Sequence, residues 1–185
     1  AKRLREEFPQ RKLAVVDSLC SSSGYGLLVD GCADLRDRGA SLEETEAWAL
    51  DNRMRVPHQV FSTDLKYFRR SGRVSGAAAT VGTILDICPI MRLDDTGHII
   101  AYDKVRGKKK ALEALADIYA QTVHDPHTPI GIAHADAPAD ALHLQTLLRG
   151  KGAQGEILHV CYEPVTGAHV GPGTVAMFFF GREWR

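Results

Sequence analysis

A short stretch rich in serine and glycine contains the first residues whose types suggest chemistry. Ser22, Ser23 and Gly24 follow an apolar run and precede a segment in which apolar residues recur at helical spacing. Free backbone N–H groups at a helix start and serine hydroxyls bind carboxylates and phosphates, and a glycine lets such a ligand approach closely. The stretch therefore indicates an anion site, although the same residues would equally well serve only to cap the helix.

Arg73 and His169 are two further candidates. Arg73 follows Gly72, and its guanidinium can bind an anion through two parallel hydrogen bonds. His169 lies between Gly167 and Gly171 in a predicted loop, where an imidazole can donate a hydrogen bond or carry a proton near neutral pH. Spacing alone favours the plainer interpretation of both residues, which is a solvated arginine and a surface histidine in turns.

Two other classes of function would use the same residues. A serine hydrolase would combine Ser22 with His169 and an acid such as Asp17, but Ser22 lacks the G-x-S-x-G elbow. A nucleotide- or phosphate-binding regulator would use Gly24-Tyr25-Gly26 and the basic cluster from Arg106 to Lys110. The third glycine of a dinucleotide fingerprint is missing there.

Composition narrows the choice of ligand. The 185 residues include 23 basic and 23 acidic side chains, so the formal net charge is zero, which argues against nucleic acid as a partner. The four cysteines show no C-x-x-C pairing, so we expect no metal site, no cofactor and a reducing cytoplasm. No apolar run reaches transmembrane length, and a transient contact with a membrane surface is compatible with the sequence.

The elements that must position these residues alternate between strands and helices. In the first part we predict a buried strand over Lys12 to Asp17, helices over Leu27 to Arg38 and Ser41 to Arg53, and a strand over Arg55 to Ser62. This order is typical of a doubly wound parallel sheet, of which too few strands are present. The chain also opens without Met in a helical pattern, so we expect that an N-terminal portion of this first domain is missing.

The second part predicts a mixed, partly antiparallel α/β domain. We expect a helix over Gly76 to Asp86 and then a hairpin of two strands around Asp94-Asp95-Thr96-Gly97. Further helices and strands follow: helices over Lys108 to Val123 and Ala137 to Arg149, and strands over Pro129 to His134, Glu156 to Cys161 and Thr174 to Gly181. The predicted domains are residues 1–66 and 67–185.

Five segments, taken in order, resemble the DegV family of bacterial proteins. They are Asp17-Ser18 with Ser22-x-Gly24-x-Gly26; Asp64-Leu65-x-Tyr67-Phe68-x-x-x-Gly72-Arg73-Val74-Ser75-Gly76-Ala77-Ala78; Ile87-Cys88-Pro89-Ile90; Lys104-Val105-Arg106-Gly107-Lys108-Lys109-Lys110-Ala111-Leu112; and His169-x-Gly171-Pro172-Gly173. The resemblance implies a DegV-like two-domain architecture that binds a long-chain fatty acid between its domains. It further implies a carrier for phospholipid synthesis and not an enzyme, one that presents the carboxylate to a separate fatty acid kinase for acyl-phosphate formation.

The resemblance also assigns site residues. Ser22, with Ser23 and Gly24, would bind the fatty acid carboxylate. Arg73 and His169 would lie beside the carboxylate and would be needed for the reaction with the kinase. An apolar tunnel would include Phe61, Ile84, Leu85, Ile90 and Phe178. The family's N-terminal segment, whose threonine shares the carboxylate, has no counterpart in this sequence. Cys88 and Val170 depart from the residues that are frequent in the family.

Overall fold

The computed structural model describes residues 2–74 and 86–182. Its first elements are α1 (Lys2–Glu7), α2 (Ser22–Asp37), α3 (Leu42–Asn52), β1 (His58–Phe61) and α4 (Lys66–Arg70). They are followed by β2 (Ile87–Leu93), β3 (Ile99–Arg106), α5 (Lys108–Thr122), β4 (Ile130–Ala135), α6 (Pro138–Gly150), β5 (Ile157–Cys161), α7 (Pro164–Val170) and β6 (Thr174–Phe178). Residues 76–85 of the helix expected over Gly76 to Asp86, among them Ile84 and Leu85, lie outside the described residues.

The six strands form one mixed sheet in the order β3-β2-β1-β6-β4-β5. All neighbouring strands are antiparallel except β4 and β5, which pair in parallel. The predicted hairpin is confirmed as β2 and β3. The α/β fold class with a mixed sheet is likewise confirmed.

Successive side chains of a strand point to opposite sides of the sheet, so the sheet has two distinct faces. The first face carries Phe61, Ile90 and Met177, which are almost fully buried against α5 and α6 in one large apolar core. The second face carries Val60, Ala176 and Phe178, and two smaller apolar clusters connect it to α2, α4 and α7. The candidate site lies on this second face.

The strand predicted over Lys12 to Asp17 is wrong. The segment is irregular, and Val15 is 61% exposed. Within the described residues no strand runs beside it, and an apolar run forms a strand only where its backbone groups find partners in a ladder. Two arginines bind its carbonyls instead: Arg5 donates to the Leu13 oxygen over 3.0 Å, and Arg53 donates to the Asp17 oxygen over 2.6 Å.

The two helices of the first part pack on the same sheet as the rest of the chain. α2 contacts β4 and β6, and α3 packs on α2. The predicted capping box of α3 is confirmed, because Ser41 and Glu44 bind each other's backbone N–H groups. The predicted division between residues 66 and 67 falls at the start of α4 and stays a prediction. None of the helices in the described ranges is long and apolar enough to cross a bilayer.

Candidate functional site

A cavity of about 430 Å³ opens on the second face of the sheet and is here called the first cavity. Its floor is apolar and comes from Val60, Phe68 and Phe178. Its polar lining includes Ser22, at the start of α2, and Arg73 and His169. The three side chains that the sequence singled out separately thus share one concave site, in which a few polar groups adjoin an apolar surface.

A buried histidine fixes the start of α2. His58 of β1 is 2% exposed, and its Nδ1 lies 2.8 Å from the Val56 carbonyl oxygen, which can only accept. Nδ1 therefore carries the proton, and Nε2 accepts the Ser21 N–H over 3.0 Å. The ring also meets Phe178 edge-on, with 5.0 Å between centroids. A Cβ at Gly24 would lie 2.4 Å from His58 Nε2, so glycine at this position lets α2 approach the histidine.

Ser22 is the first residue of α2 and has a left-handed backbone, with φ of 51°. This conformation costs a non-glycine residue about 1 kcal/mol, and it is often kept where a side chain must point in a required direction. The Ser22 side chain lies near the Tyr162 phenol, and both residues line the first cavity. Burial raises the pKa of Tyr162 to about 12, and the nearby Ser22 hydroxyl opposes part of that rise. The phenol is therefore neutral at physiological pH.

His169 lies on a helix and not in a loop, so the sequence prediction was wrong on this point. α7 forms because the Glu163 carboxylate accepts the N–H groups of Val165 and Thr166, and Pro164 begins the first turn. Hydrogen bonds from Thr166 are the main cause that lowers the pKa of Glu163, and the nearby His169 adds to them. His169 stands at the C-terminal end of α7.

Arg73 is held near His169 by backbone contacts. Its Nη1 donates to the Ser71 carbonyl over 2.5 Å, and the Ser71 hydroxyl donates to the His169 carbonyl over 3.2 Å. Gly72 has φ of 71°, a conformation that glycine adopts without cost and that turns the chain after α4. Arg73 itself is exposed, so its guanidinium stays hydrated at the mouth of the first cavity.

Ser23 and Gly24 do not face the first cavity, although Ser22 does. Ser23 packs on β4, where a Cβ at Gly131 would lie 2.6 Å from the Ser23 Cβ, and Gly24 is buried against His58. Both are therefore close to the first cavity without lining it. Of the residues predicted for the apolar tunnel, Phe178 lines the first cavity, whereas Phe61 and Ile90 point into the core on the first face.

Sequence reasoning missed His58 and Tyr162, which both line the first cavity. Polar residues at the end of an apolar strand were the available signal, since Tyr162 directly follows β5 and His58 opens β1. The two residues belong to the site because they lie next to the start of α2, which is distant from them in sequence. Asp17, the acid considered for a hydrolase, accepts the Leu19 N–H through its side chain.

Taken together, the mixed sheet and the cavity that joins an apolar floor to Ser22, Arg73 and His169 define an α/β protein with one concave amphipathic site. Residues 1–182 match the family described as "Uncharacterised protein, DegV family". The chain belongs to the DegV family. A DegV domain-containing protein of Clostridium perfringens is 33% identical over 179 residues, which is 96% of this chain and 62% of that protein.

Two solved structures have the same fold. A fatty acid binding DegV family protein from Streptococcus agalactiae is 28% identical with a TM-score of 0.86, and the match covers 98% of this chain and 64% of that one. The Streptococcus pneumoniae Fatty Acid Kinase (Fak) B3 protein loaded with linoleic acid is 23% identical with a TM-score of 0.87, over 97% of this chain and 64% of that one. The chain therefore spans less than two thirds of the length of these relatives.

Proposed function

We propose that the first cavity binds the carboxylate end of a long-chain fatty acid. Ser22, assisted by the neighbouring Ser23 and Gly24 at the start of α2, would hold one side of the carboxylate, and Arg73 and His169 the other. The observation that carries the proposal is that Ser22, Arg73 and His169 line one cavity whose floor is apolar. The Streptococcus agalactiae relative, named as fatty acid binding, has the same fold at 28% identity and supports this choice of ligand.

The chemistry of these side chains suits a carboxylate. Arg73 offers a fork of N–H donors, and its exposed position provides positive charge without the cost of burying it. Ser22 contributes a hydroxyl at the start of α2, which can donate to the ligand. The apolar floor gives the acyl chain a surface from which water is displaced.

We further propose that the protein is a carrier for a separate fatty acid kinase. In this reaction a carboxylate oxygen attacks the γ-phosphorus of ATP on the kinase, the bond to ADP breaks, and an acyl-phosphate forms. Arg73 and His169 lie at the mouth of the cavity, where they would stabilise the negative charge that develops during transfer. A cytoplasmic location fits this partner and the free cysteines of the described chain, Cys20, Cys32, Cys88 and Cys161.

The hydrolase alternative receives less support. The Ser22 hydroxyl lies near the Tyr162 phenol, whose pKa of about 12 keeps it protonated at neutral pH, so the phenol is not a base for Ser22. No hydrogen bond between the Ser22 hydroxyl and His169 is recorded among the described residues, and the Asp17 carboxylate is engaged in its own turn. The activation chain that a nucleophilic serine requires is therefore not assembled.

Binding of fatty acid by delipidated protein tests the first proposal. Removing a charged hydrogen-bond donor costs about 1.5–3 kcal/mol, so Arg73→Ala should weaken binding about tenfold to a hundredfold. Arg69→Ala is the matched control, because Arg69 is an exposed arginine of the same segment that does not line the first cavity. Equal affinities of the two variants, or no fatty acid binding by the unaltered chain, would contradict the proposal.

Formation of acyl-phosphate with a bacterial fatty acid kinase and ATP tests the carrier role. His169→Ala should lose most of the turnover even at saturating fatty acid, so that the loss exceeds what weaker binding alone would cause. His143→Ala, at an exposed position of α6, should behave like the unaltered protein. Turnover of the His169 variant at the unaltered rate would remove His169 from this role.

A further inference from the structure

The two edge strands of the sheet, β3 and β5, differ in how they are protected from pairing with a further strand. β3 contains Asp103, Lys104 and Arg106, and its register with β2 shifts between Ile90 and Met91. Charged side chains and bulges of this kind keep an exposed edge from adding another strand. β5, of sequence ILHVC, contains neither a charged residue nor a proline, and its register with β4 is continuous. Among the described residues no strand lies on its outer side.

Every second residue of β5 directs its backbone groups to the free edge. The Tyr162 N–H donates to the His134 carbonyl, and the Glu156 carbonyl accepts from the Ile130 N–H, each over 2.8 Å. Backbone groups of successive strand residues point to opposite edges, so the even-numbered residues bond to β4. The N–H and C=O groups of the odd-numbered residues therefore point outward: Ile157, His159 and Cys161.

The side of β5 on the second face is apolar and incompletely covered. Leu158 and Val160 are 43% and 41% exposed, which is high for apolar residues of a strand. They pair with Gly131 and Ala133 of β4, which are too small to cover them, and a second cavity of about 710 Å³ separates them from α2. β5 thus combines outward backbone groups with apolar side chains, which is the combination that strand addition uses.

We propose that β5 pairs with β5 of a second copy of this chain, antiparallel about a two-fold axis at His159. In this register Leu158 of one copy lies opposite Val160 of the other. Ile157 likewise lies opposite Cys161. The outward-pointing residues of the two copies then face one another, so each such pair exchanges two backbone hydrogen bonds. The contact is isologous, because the same strand meets itself.

The charges along β5 are compatible with a copy of itself. At the end of the strand Glu156 lies opposite Tyr162 in this register and not opposite another carboxylate. His159 is the residue that meets its own copy. Burial is the main cause that lowers the pKa of His159, and the nearby His134 lowers it further, so the two rings are neutral at neutral pH and do not repel each other.

The first face supplies a further apolar contact beside the same edge. Gln145 of α6 hydrogen-bonds to His159 Nε2 over 2.5 Å, which places this side of α6 next to β5. Leu142 lies one helical turn before Gln145 and is 58% exposed. In a sheet that continues through both copies, the α6 helices of the two copies approach each other on this face, where Leu142 would be covered.

Sedimentation of the 185-residue chain tests the pairing. We expect a monomer–dimer equilibrium in which dimers are abundant at about 100 μM, because the contact is small. Leu158→Lys combined with Val160→Lys places lysine opposite lysine and should weaken the dimer by about a hundredfold or more. Val29→Lys combined with Leu50→Lys, at positions of α2 and α3 that are 46% and 41% exposed, is the matched control and should leave the equilibrium unchanged.

A proline variant separates the free edge from the fold. His159→Pro removes an N–H that points outward and leaves the hydrogen bonds to β4 in place, so the chain should remain folded by thermal unfolding and become monomeric. A monomeric unaltered chain at about 100 μM would overturn the proposal. A dimer that keeps its affinity in the double lysine variant would overturn it as well, since another surface would then form the contact.

Cross-linking tests the register. Leu158 and Val160 would form a non-hydrogen-bonded pair, whose Cα atoms lie about 4.5 Å apart, and a disulfide spans that distance. In a Cys161→Ser background, an equal mixture of Leu158→Cys and Val160→Cys should cross-link with oxidised glutathione faster than either variant alone. Equal rates would contradict the two-fold axis at His159. Pairing through β5 does not require that the first cavity binds fatty acid, so its failure and that of the proposed function are distinguishable.

Discussion

The two faces of the sheet differ in how tightly helices pack on them. The first face is sealed by α5 and α6, whose inward residues Leu115, Ala116 and Leu144 are fully buried. The second face is covered by α2, α4 and α7, which leave two cavities between them. The close packing of the first face stabilises the fold, and the incomplete packing of the second leaves room for a ligand.

The largest difference between the faces should appear when adjacent residues of β1 are truncated. Phe61 is fully buried in the first-face core, so Phe61→Ala should destabilise the protein by about 3–5 kcal/mol. Val60 is half-buried at the floor of the first cavity, and Val60→Ala should cost only about 1 kcal/mol. Denaturant unfolding measures both values, and equal losses would mean that the second face is as tightly packed as the first.

A smaller effect should distinguish two glycines of α2. A Cβ at Gly24 would lie 2.4 Å from His58 Nε2, so Gly24→Ala should cost about 1–3 kcal/mol as the helix is pushed off the sheet. A Cβ at Gly26 meets no described atom within 4 Å, so Gly26→Ala should stabilise the helix by up to about 1 kcal/mol. Thermal unfolding of the two variants checks the opposite signs. Two variants of equal stability would show that α2 does not depend on its contact with His58.

Sequence reasoning predicted the first face better than the second, for a physical reason. The helix predicted over Lys108 to Val123 is found as α5, which buries Leu112, Leu115 and Tyr119 at helical spacing. Local patterns of this kind fix an element that packs on a regular surface. Ser22, Arg73 and His169 come together only because α2, the turn after α4, and α7 meet on one face, and their local spacing contains no sign of that meeting.

The errors follow from the same distinction. The apolar run from Lys12 to Asp17 has strand composition, but a strand also requires a neighbour, and none runs beside it among the described residues. His169 was expected in a loop because of the glycines around it. The Glu163 carboxylate caps α7, and this cap allows a helix to form despite the glycines around His169. Both outcomes were decided by backbone hydrogen-bond partners and not by residue type.

A smaller effect is expected from two substitutions of Ser22, which separate the role of its hydroxyl from that of its left-handed backbone. Ser22→Ala and Ser22→Gly both remove the hydroxyl, but only glycine relieves the left-handed conformation at φ of 51°. Ser22→Gly should therefore be more stable than Ser22→Ala by about 1 kcal/mol, and both should bind fatty acid equally weakly. Tighter binding by one variant in a titration would show that backbone geometry, and not the hydroxyl, is what the ligand requires.

The smallest expected effect concerns acid and the cap of α7. The pKa of Glu163 is lowered from its ordinary value of 4.5, chiefly because the Thr166 hydroxyl donates to the carboxylate. A carboxyl with a lowered pKa in the folded state contributes stability that is complete above its ordinary pKa and is lost as the pH falls through the lowered value. Glu163→Gln has no charge to lose at this position. As the pH falls from neutral to below the lowered pKa of Glu163, the free energy of unfolding of this variant should therefore decline less than that of the unaltered protein.

Unfolding curves of the two proteins at a series of pH values measure this difference. Glu46→Gln, at a half-buried carboxyl of α3 for which no capping contact is recorded among the described residues, is the control and should follow the unaltered protein. Because Glu163 begins the helix that carries His169, a loss of the cap should also weaken fatty acid binding in acid while the first-face core stays folded. Parallel pH curves for Glu163→Gln and the unaltered protein would mean that α7 is held by the Ser71 and Thr174 contacts at its C-terminal end and not by its cap.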